Sequence, residues 1–284
     1  SDTRQRPKRN PERQFMVYLL SRSSGRISNR CKFTPTNIRI MCGRFTLTTP
    51  AAVWARLFEL DSVPELGPRY NIAPTQPVAA VRSTARPQTD TTESGEMETG
   101  TGSRRELALL RWGLVPHWAR APDLKGRALI NARSETVAEK PSFRDSFRFR
   151  RCLVVADGFY EWQPAGARKQ PFWIRLDSGG PFALAGLWDR WVGEDQTLES
   201  CALLTTEANE GLQSLHDRMP VILDPQHHEA WIDPDTPHWE LETLLGPYPS
   251  ESMTYHPVST YVNHVGHDDP ACIAPLRSQT DLFG

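Results

Sequence analysis

A methionine followed directly by a cysteine, Met41 and Cys42, opens the tetrapeptide Met-Cys-Gly-Arg. If Met41 is an initiator methionine, its removal leaves Cys42 at an N-terminus, with a thiol and a primary amine on adjacent carbons. Such a pair can close a five-membered ring on an aldehyde, whereas a cysteine within the chain offers only its thiol. Whether Cys42 is terminal or internal therefore decides which chemistry is available to it.

Two segments combine arginine with aromatic rings and prolines, namely residues 69–74 (RYNIAP) and 111–118 (RWGLVPHW). Aromatic faces stack on unpaired bases, and the guanidinium fork of arginine binds phosphate. Asn131 and Arg133 lie two residues apart, so their side chains project on the same side of an extended strand. This combination suits a surface that binds single-stranded nucleic acid.

Two further segments offer acid–base groups. Residues 157–162 (DGFYEW) place carboxylates among aromatic rings, a setting that can raise a carboxyl pKa towards acid–base use. Residues 215–220 (LHDRMP) put the imidazole of His216 beside a carboxylate and a cation. Each segment alone is weak support, because tryptophans in short strands are usually core and Arg218 equally fits a surface ion pair.

Charge divides the chain at about residue 40. Residues 1–40 carry ten Lys/Arg and two Asp/Glu, whereas the rest of the chain has a balance of −9. Three interpretations of the basic segment compete: upstream DNA read into an over-long gene, an Arg- and Ser-rich transit peptide, or a disordered arm that adds affinity for nucleic acid. We favour the first, because it explains the position of Met41-Cys42, and we expect the segment to be disordered or removed.

The five cysteines are scattered and form no CxxC pair, which favours neither a disulfide framework nor a zinc site. No stretch approaches the roughly 20 apolar residues of a membrane span. We therefore expect a cytoplasmic protein that does not contact membranes. We expect no metal or cofactor, because His227-His228 is typical of an exposed helix face and residues 264–269 of a loop. Cys152, Cys201 and Cys272 are expected in the core.

Short apolar runs bounded by Gly, Pro or Asp predict an open or closed antiparallel β core. The runs are Leu107–Arg111, Cys152–Ala156, Phe172–Leu176, Phe182–Leu187 and Cys201–Thr205. Thr49 and Pro50 predict an N-cap and first turn for a helix over Ala51–Leu60 with Val53, Trp54, Leu57 and Phe58 on one face. Helical patterns also cover Glu139–Phe147, Asn209–Leu215 and His227–Ile232. The prediction is one α+β domain over residues 41–275, with a mobile loop at 83–105 and a tail at 276–284.

In this order and spacing, the segments resemble the SRAP family, the SOS-response-associated peptidases or abasic-site processing proteins. The motifs are MCGR (41–44), RYNIAPTQ (69–76), RWGLVPHW (111–118), INARSET (130–136), KPSF (140–143), RCLVVADGFYEW (151–162), TTEAN (205–209), HDRMPVIL (216–223) and HPVSTYVN (256–263). The resemblance implies a barrel-like β core flanked by helices. It also implies a monomer of the DNA damage response that binds single-stranded DNA, crosslinks to abasic sites, and associates with the nucleoid when crosslinked.

The resemblance also assigns roles. Cys42 matches the crosslinking nucleophile, Glu161 the acid–base carboxylate, and His216 the imidazole that helps to open the sugar. Asn131 matches the amide that orients the abasic sugar, and Thr205 a polar position near the site. The family positions that hold DNA phosphates correspond to Arg44, Arg133 and Arg218 of this chain. The family wedge that flanks the lesion and unstacks neighbouring bases corresponds to Pro74 and Trp118.

Three functions stay open at this point: a covalent abasic-site sensor with lyase-like activity, a cysteine-dependent (auto)peptidase, and a non-covalent single-strand binding module. The acidic body opposes DNA binding, since non-specific affinity depends on cations. A DNA-binding function therefore requires a local basic groove.

Overall fold

The computed structural model describes residues 42–84, 105–122, 129–166 and 168–276. Within these ranges the chain forms thirteen strands and four α-helices. The strands are β1 (Phe45–Leu47), β2 (Arg69–Ile72), β3 (Pro77–Ser83), β4 (Arg105–Trp112), β5 (Asn131–Arg133), β6 (Arg151–Ala156), β7 (Gly158–Ala165), β8 (Arg168–Leu176), β9 (Phe182–Val192), β10 (Thr197–Glu207), β11 (Arg218–Pro220), β12 (Ile222–Leu223) and β13 (Met253–Pro257). The helices are α1 (Ala51–Leu57), α2 (Arg144–Phe149), α3 (His228–Ile232) and α4 (His238–Thr243).

Five strands close into a barrel in the order β4-β3-β6-β9-β10, because β10 pairs with both β9 and β4. The β4–β10 pair is parallel, and the other neighbours pair antiparallel. Every residue of β6 is buried: Cys152–Ala156 are apolar, and the guanidinium of Arg151 donates to the backbone carbonyls of Phe147 and Trp231. Helices α2 and α3 pack against β6, where Phe147 and Trp231 are both buried. The predicted α+β fold with a mainly antiparallel, barrel-like core is confirmed.

A second, antiparallel sheet has the order β13-β8-β7-β1-β2 and carries the segment that begins with Cys42. The backbone N–H of Tyr160 donates to the carbonyl of Arg44 at 3.0 Å, so the chain before β1 runs along β7. Gly158 starts β7 at a point where a Cβ would lie 2.3 Å from the indole Nε1 of Trp173. Only glycine permits this close approach.

Asp157 connects the two sheets to the start of α1. Its buried carboxylate accepts hydrogen bonds from the hydroxyls of Thr46, Thr48 and Thr49 and from the backbone N–H groups of Thr48 and Thr49, at 2.6–2.9 Å. The predicted cap of α1 is therefore wrong. Pro50 itself occupies the N-cap, and the Thr49 hydroxyl is committed to Asp157 instead of the helix.

The predicted strands are all confirmed, within β4, β6, β8, β9 and β10. The helix patterns were less accurate. Residues Asn209–Leu215 form successive turns and no helix, although the side chain of Asn209 accepts the backbone N–H of Leu212 as a helix N-cap does. Helix α1 ends at Leu57, before Glu59 adopts a φ of 55°, and Val53 is 46% exposed.

Parts of the predicted domain organisation lie outside the described residues. These are the basic segment 1–40, most of the loop assigned to 83–105, and the tail after Leu276. The loop boundaries were wrong by one residue at each end, since Ser83 ends β3 and Arg105 begins β4.

Replacement of Asp157 by Asn tests the role of this carboxylate. We expect the free energy of unfolding to fall by about 3 kcal/mol, because an amide cannot accept all five hydrogen bonds and loses the charge that strengthens them. Urea denaturation measures the change. Asp177→Asn, at an exposed turn position, is the matched control and should change stability by less than about 0.5 kcal/mol. A similarly small effect in Asp157→Asn would contradict this role.

Candidate functional site

Cys42 and Glu161 meet through one hydrogen bond. The backbone nitrogen of Cys42 donates to Oε1 of Glu161 at 2.7 Å, although the residues are 119 positions apart in sequence. The pairing of β1 with β7 brings them together, because Phe45 lies opposite Phe159, two residues before Glu161. Cys42 also adopts a φ of 34°, which directs the chain into this contact. The nitrogen that would become an α-amine thus lies against a carboxylate.

Glu161 is only 3% exposed. Burial raises its pKa to about 8, although the backbone N–H groups of Cys42 and Trp162 and the charge of Lys169 act in the opposite direction. A carboxyl group with this pKa exchanges protons near neutral pH, as general acid–base catalysis requires. The sequence-based expectation that this segment carries a carboxyl with a raised pKa is thereby supported at Glu161.

The thiol of Cys42 is buried beside the same carboxyl. Cys42 is 1% exposed, and burial raises its pKa well above the usual value, with a further contribution from the negative charge of Glu161. The thiol is therefore neutral at pH 7 and needs a base before it can act as a nucleophile.

His216 lies in the same region and has two partners at one ring nitrogen. Its Nδ1 lies 3.1 Å from the backbone nitrogen of Arg218, which donates to it, and 2.8 Å from Oδ1 of Asp217. The first contact suits a neutral ring with the proton on Nε2, and the second suits an imidazolium. Both protonation states therefore have a partner, and His216 can gain or lose a proton without leaving its position.

A cleft of about 380 Å³ opens beside the Cys42–Glu161 contact. Its lining combines carboxylate, imidazole, cations and an indole ring, and consists of Gly43, Arg44, Pro74, Glu161, Trp162, Lys169, His216 and Asn263. Four of the predicted site residues, Arg44, Pro74, Glu161 and His216, therefore share one cleft, and Cys42 bonds to one of them.

Arg44 is held from several sides. Its guanidinium donates to Oδ1 of Asn71 at 2.9 Å and to the carbonyls of Val262 and Asn263 at 3.0 and 3.4 Å. Asn71 is fully buried and donates in turn to three carbonyls of residues 262–267. Arg44 thus fixes the 3₁₀ turn Thr260–Asn263 against β2, whatever else it binds.

A second group of predicted residues gathers on β5, β10 and β11, outside the cleft lining. Asn131 and Arg133 lie on β5 opposite Leu203 and Thr205, and Thr205 pairs with Pro220 on the other side. Arg218 forms a two-point ion pair with the carboxylate of Glu135 and donates to the Thr205 carbonyl at 2.6 Å. The ion pair named above as an alternative for Arg218 is therefore present. Arg133 is exposed.

Trp118 lies on a turn after β4 and is 55% exposed. Asp189 holds this turn, because its buried carboxylate accepts the backbone N–H of His117 at 2.9 Å and lies 3.0 Å from Nδ1 of the same residue. Trp191 adds a hydrogen bond to the carbonyl of Ala119 at 2.7 Å. Trp118 does not line the cleft, whereas Pro74 does, so the two residues predicted to form one wedge do not meet in the cleft.

Four residues of the cleft lining were not among the predicted site residues: Gly43, Trp162, Lys169 and Asn263. Lys169 is opposite Pro164 in the β7–β8 hairpin, so the hairpin register read from the turn at Gly166 could have placed it on the same face as Trp162. Asn263 could not be found in this way, since a distant 3₁₀ turn supplies it. It accepts a hydrogen bond from the Trp162 indole at 2.8 Å.

The histidine and cysteine assignments can also be compared with the structure. Cys152, Cys201 and Cys272 are fully buried, as expected. The exposed helix face expected for His227-His228 was wrong for His228, which is 1% exposed, stacks on Phe58 and has its pKa lowered to about 4 by burial. No group of three His, Cys, Asp or Glu side chains suited to a metal occurs within the described ranges.

Comparison with known proteins decides the family. The model of the SOS response associated peptidase (SRAP) family matches residues 41–265. The chain belongs to the SRAP family. The resemblance seen in the sequence motifs is thus confirmed.

Several relatives match the chain over most of their length. The chain is 38% identical to "Abasic site processing protein YoqW" of Bacillus subtilis, covering 82% of this chain and 99% of that protein. It is 32% identical to "Abasic site processing protein HMCES" of Xenopus tropicalis, covering 87% of this chain and 77% of that protein. A crystal structure of a Bacteroides thetaiotaomicron protein superimposes with a TM-score of 0.70 at 25% identity, covering 83% of this chain and all of that chain. Among the described helices of this SRAP protein, none is long and apolar enough to cross a membrane.

The raised pKa of Glu161 leads to a prediction about stability. The folded protein keeps this proton up to about pH 8, whereas the unfolded chain loses it near 4.5. The proton on Glu161 therefore contributes fully to the free energy of unfolding below pH 4.5, and this contribution is lost as the pH rises to 8. Within that pH range, the free energy of unfolding of the wild type should fall relative to that of Glu161→Gln by up to about 1.4 kcal/mol per pH unit.

Urea denaturation at pH 5, 7 and 9 measures this difference, with the exposed Glu139→Gln as control. A constant difference between wild type and Glu161→Gln across the three pH values would mean that the Glu161 pKa is not raised.

Proposed function

We propose that this protein processes abasic sites by binding single-stranded DNA and forming a thiazolidine crosslink between Cys42, as N-terminal residue, and the abasic-site aldehyde. The observation that carries the proposal is the 2.7 Å contact between the Cys42 nitrogen and Glu161. It places an acid–base group directly at the atom that would attack. The names of the relatives from Bacillus subtilis and Xenopus tropicalis, both abasic site processing proteins, support the same substrate.

In the first step, the α-amine of Cys42 attacks C1′ of the ring-opened sugar. An α-amine has a pKa of about 7.7–8.0, so part of it is unprotonated at neutral pH. Glu161 takes the proton that the nitrogen loses and returns it to the C1′ hydroxyl, which leaves as water. The product is an imine. Because the pKa values of Glu161 and the amine are similar, the proton moves between them at little cost.

In the second step, the Cys42 thiol loses its proton and the sulfur adds to the imine carbon. The electron pair of the C=N bond passes to nitrogen, which takes up a proton. One aldehyde and one aminothiol thus give one thiazolidine and one water. Amine and thiol belong to the same residue, so ring closure is effectively unimolecular. The ring hydrolyses much more slowly than an imine and protects the lesion.

His216 lines the same cleft, and its Nδ1 lies beside both the Asp217 carboxylate and the backbone N–H of Arg218. We assign it the proton transfer that opens the sugar ring and, in reverse, releases the link. Asn131 orients the abasic sugar, and Thr205 supports this region from the neighbouring strand β10.

The DNA strand passes along a groove between the two groups of site residues. Arg44, Arg133 and Arg218 contribute positive charge along its course, while Pro74 and Trp118 unstack the bases beside the lesion. Unpaired DNA is the expected partner, because exposed rings such as Trp118 stack on bases of any sequence. We propose a monomeric, cytoplasmic protein that associates with the nucleoid when crosslinked and acts in the SOS response to DNA damage.

A peptidase activity is the second candidate, favoured by the description of the family that matches residues 41–265. In this function the Cys42 thiol would be the nucleophile, and removal of the residues before Cys42 would be the natural cleavage. Both functions require a base for the buried thiol, whose pKa lies well above its usual value. The contact between the Cys42 nitrogen and Glu161 favours crosslinking, because this nitrogen reacts only in that function.

The crosslinking proposal predicts two different products from wild type and Cys42→Ala. Protein expressed from Met41 should give a band with an abasic oligonucleotide that survives heat and denaturant without a reductant. Cys42→Ala keeps an α-amine but no thiol, so it should give a band only when borohydride reduces the imine. Denaturing gel electrophoresis measures both.

Absence of the stable band from wild-type protein with a confirmed N-terminal Cys42 would refute the crosslink. Casein hydrolysis that disappears in Cys42→Ser, in the same preparations, would favour the peptidase.

The same chemistry predicts an effect of the preceding segment. With residues 1–41 attached, the Cys42 nitrogen is an amide and cannot form an imine. Protein shown by intact mass to begin at Ser1 should therefore crosslink poorly, and protein expressed from Met41 should crosslink well. Equal yields of a heat-stable product from both would exclude the thiazolidine.

A further inference from the structure

The cleft contains a cation that no sequence motif indicated. Lys169 lies on β8 opposite Pro164, on the same side of the β7–β8 hairpin as Trp162, and both line the cleft with Glu161 and His216. Its side chain is exposed and forms no hydrogen bond or ion pair with another described residue.

Two arginines expected to bind phosphate are already engaged. Arg44, the other cation in the cleft lining, donates to Asn71, Val262 and Asn263. Arg218 is paired with both carboxylate oxygens of Glu135. Both guanidinium groups have part of their five donors committed to these partners, whereas at Lys169 a phosphate would meet an ammonium with all three donors available.

The position of Lys169 also suits a ligand that carries a negatively charged group next to the carbon attacked by Cys42. Its charge acts on Glu161, the group in contact with the attacking nitrogen. The charge of Lys169 would therefore also act on groups next to a carbon bound to that nitrogen. In a nucleic-acid strand, phosphodiesters flank every sugar, and an ammonium binds them as a point charge that tolerates several orientations.

We propose that Lys169 binds a phosphodiester next to the abasic sugar, in addition to the charge that the arginines contribute. Lys169 is thus a positioning residue that seats the strand over Cys42. This inference rests on the proposed function, because it requires a single-stranded DNA ligand.

Binding without reaction tests the proposal. The probe is a single-stranded oligonucleotide with a tetrahydrofuran site, which lacks the aldehyde and cannot crosslink. Its affinity is measured by fluorescence anisotropy at salt concentrations from about 50 to about 300 mM, because the contribution of phosphate contacts to affinity falls steeply with salt. The proteins are wild type, Lys169→Gln, Lys169→Arg and Lys140→Gln, the last a control at an exposed lysine outside the cleft lining.

Lys169→Gln should weaken binding and reduce the slope of log affinity against log salt by about 0.7, the value for one phosphate contact on a single strand. Lys169→Arg should keep the wild-type slope, and so should Lys140→Gln. An unchanged slope in Lys169→Gln, with wild type still binding and crosslinking, would overturn the role of Lys169 but leave the proposed function intact.

Two other outcomes are equally decisive. If Lys169→Gln keeps its slope while the pH profile of crosslinking shifts, Lys169 acts only through the charge of Glu161, and the phosphate contact is refuted. If wild type neither binds the probe nor crosslinks to an abasic oligonucleotide, the proposed function itself fails, and the inference about Lys169 fails with it.

Discussion

The burial of one carboxyl group, Glu161, against the backbone nitrogen of Cys42 is the constraint on which the site depends. In water this carboxyl would be ionised and inactive as an acid at neutral pH. Removed from water, it keeps its proton to about pH 8 and matches the basicity of an α-amine. The fold bears the cost of this burial, since an ionisable group that is not fully compensated lowers stability as the pH rises.

The second sheet keeps Glu161 and Cys42 together by pairing β1 with β7. Asp157, the residue immediately before β7, strengthens this arrangement because its carboxylate accepts hydrogen bonds from three threonine hydroxyls near the start of α1. Neither feature takes part in the chemistry. Both limit the movement of the segment that carries Cys42, and proximity of this kind is what turns a slow condensation into a rapid one.

Charge is used locally in this protein. The body is acidic overall, so the long-range field does not attract DNA. Several cations near the site are bound to internal partners, as Arg44 is to Asn71 and Arg218 to Glu135. The Arg44 contact stabilises the wall of the cleft, whereas the Arg218–Glu135 pair lies outside the cleft lining. Lys169 and Arg133, in contrast, are exposed cations.

The sequence by itself determined the fold class, the family and the candidate residues Cys42, Glu161 and His216, because apolar runs and motif order are local properties of the chain. It wrongly predicted a helix at Asn209–Leu215, where the chain forms successive turns, and it assigned the cap of α1 to Thr49, which bonds to Asp157 instead.

The tertiary structure alone decided three things: the contact between Cys42 and Glu161, the internal pairing of the arginines, and the presence of Lys169 in the cleft. Each depends on strands or turns far apart in sequence. The distances and the degree of burial that set pKa values and free charges therefore exist only after the sheets have formed.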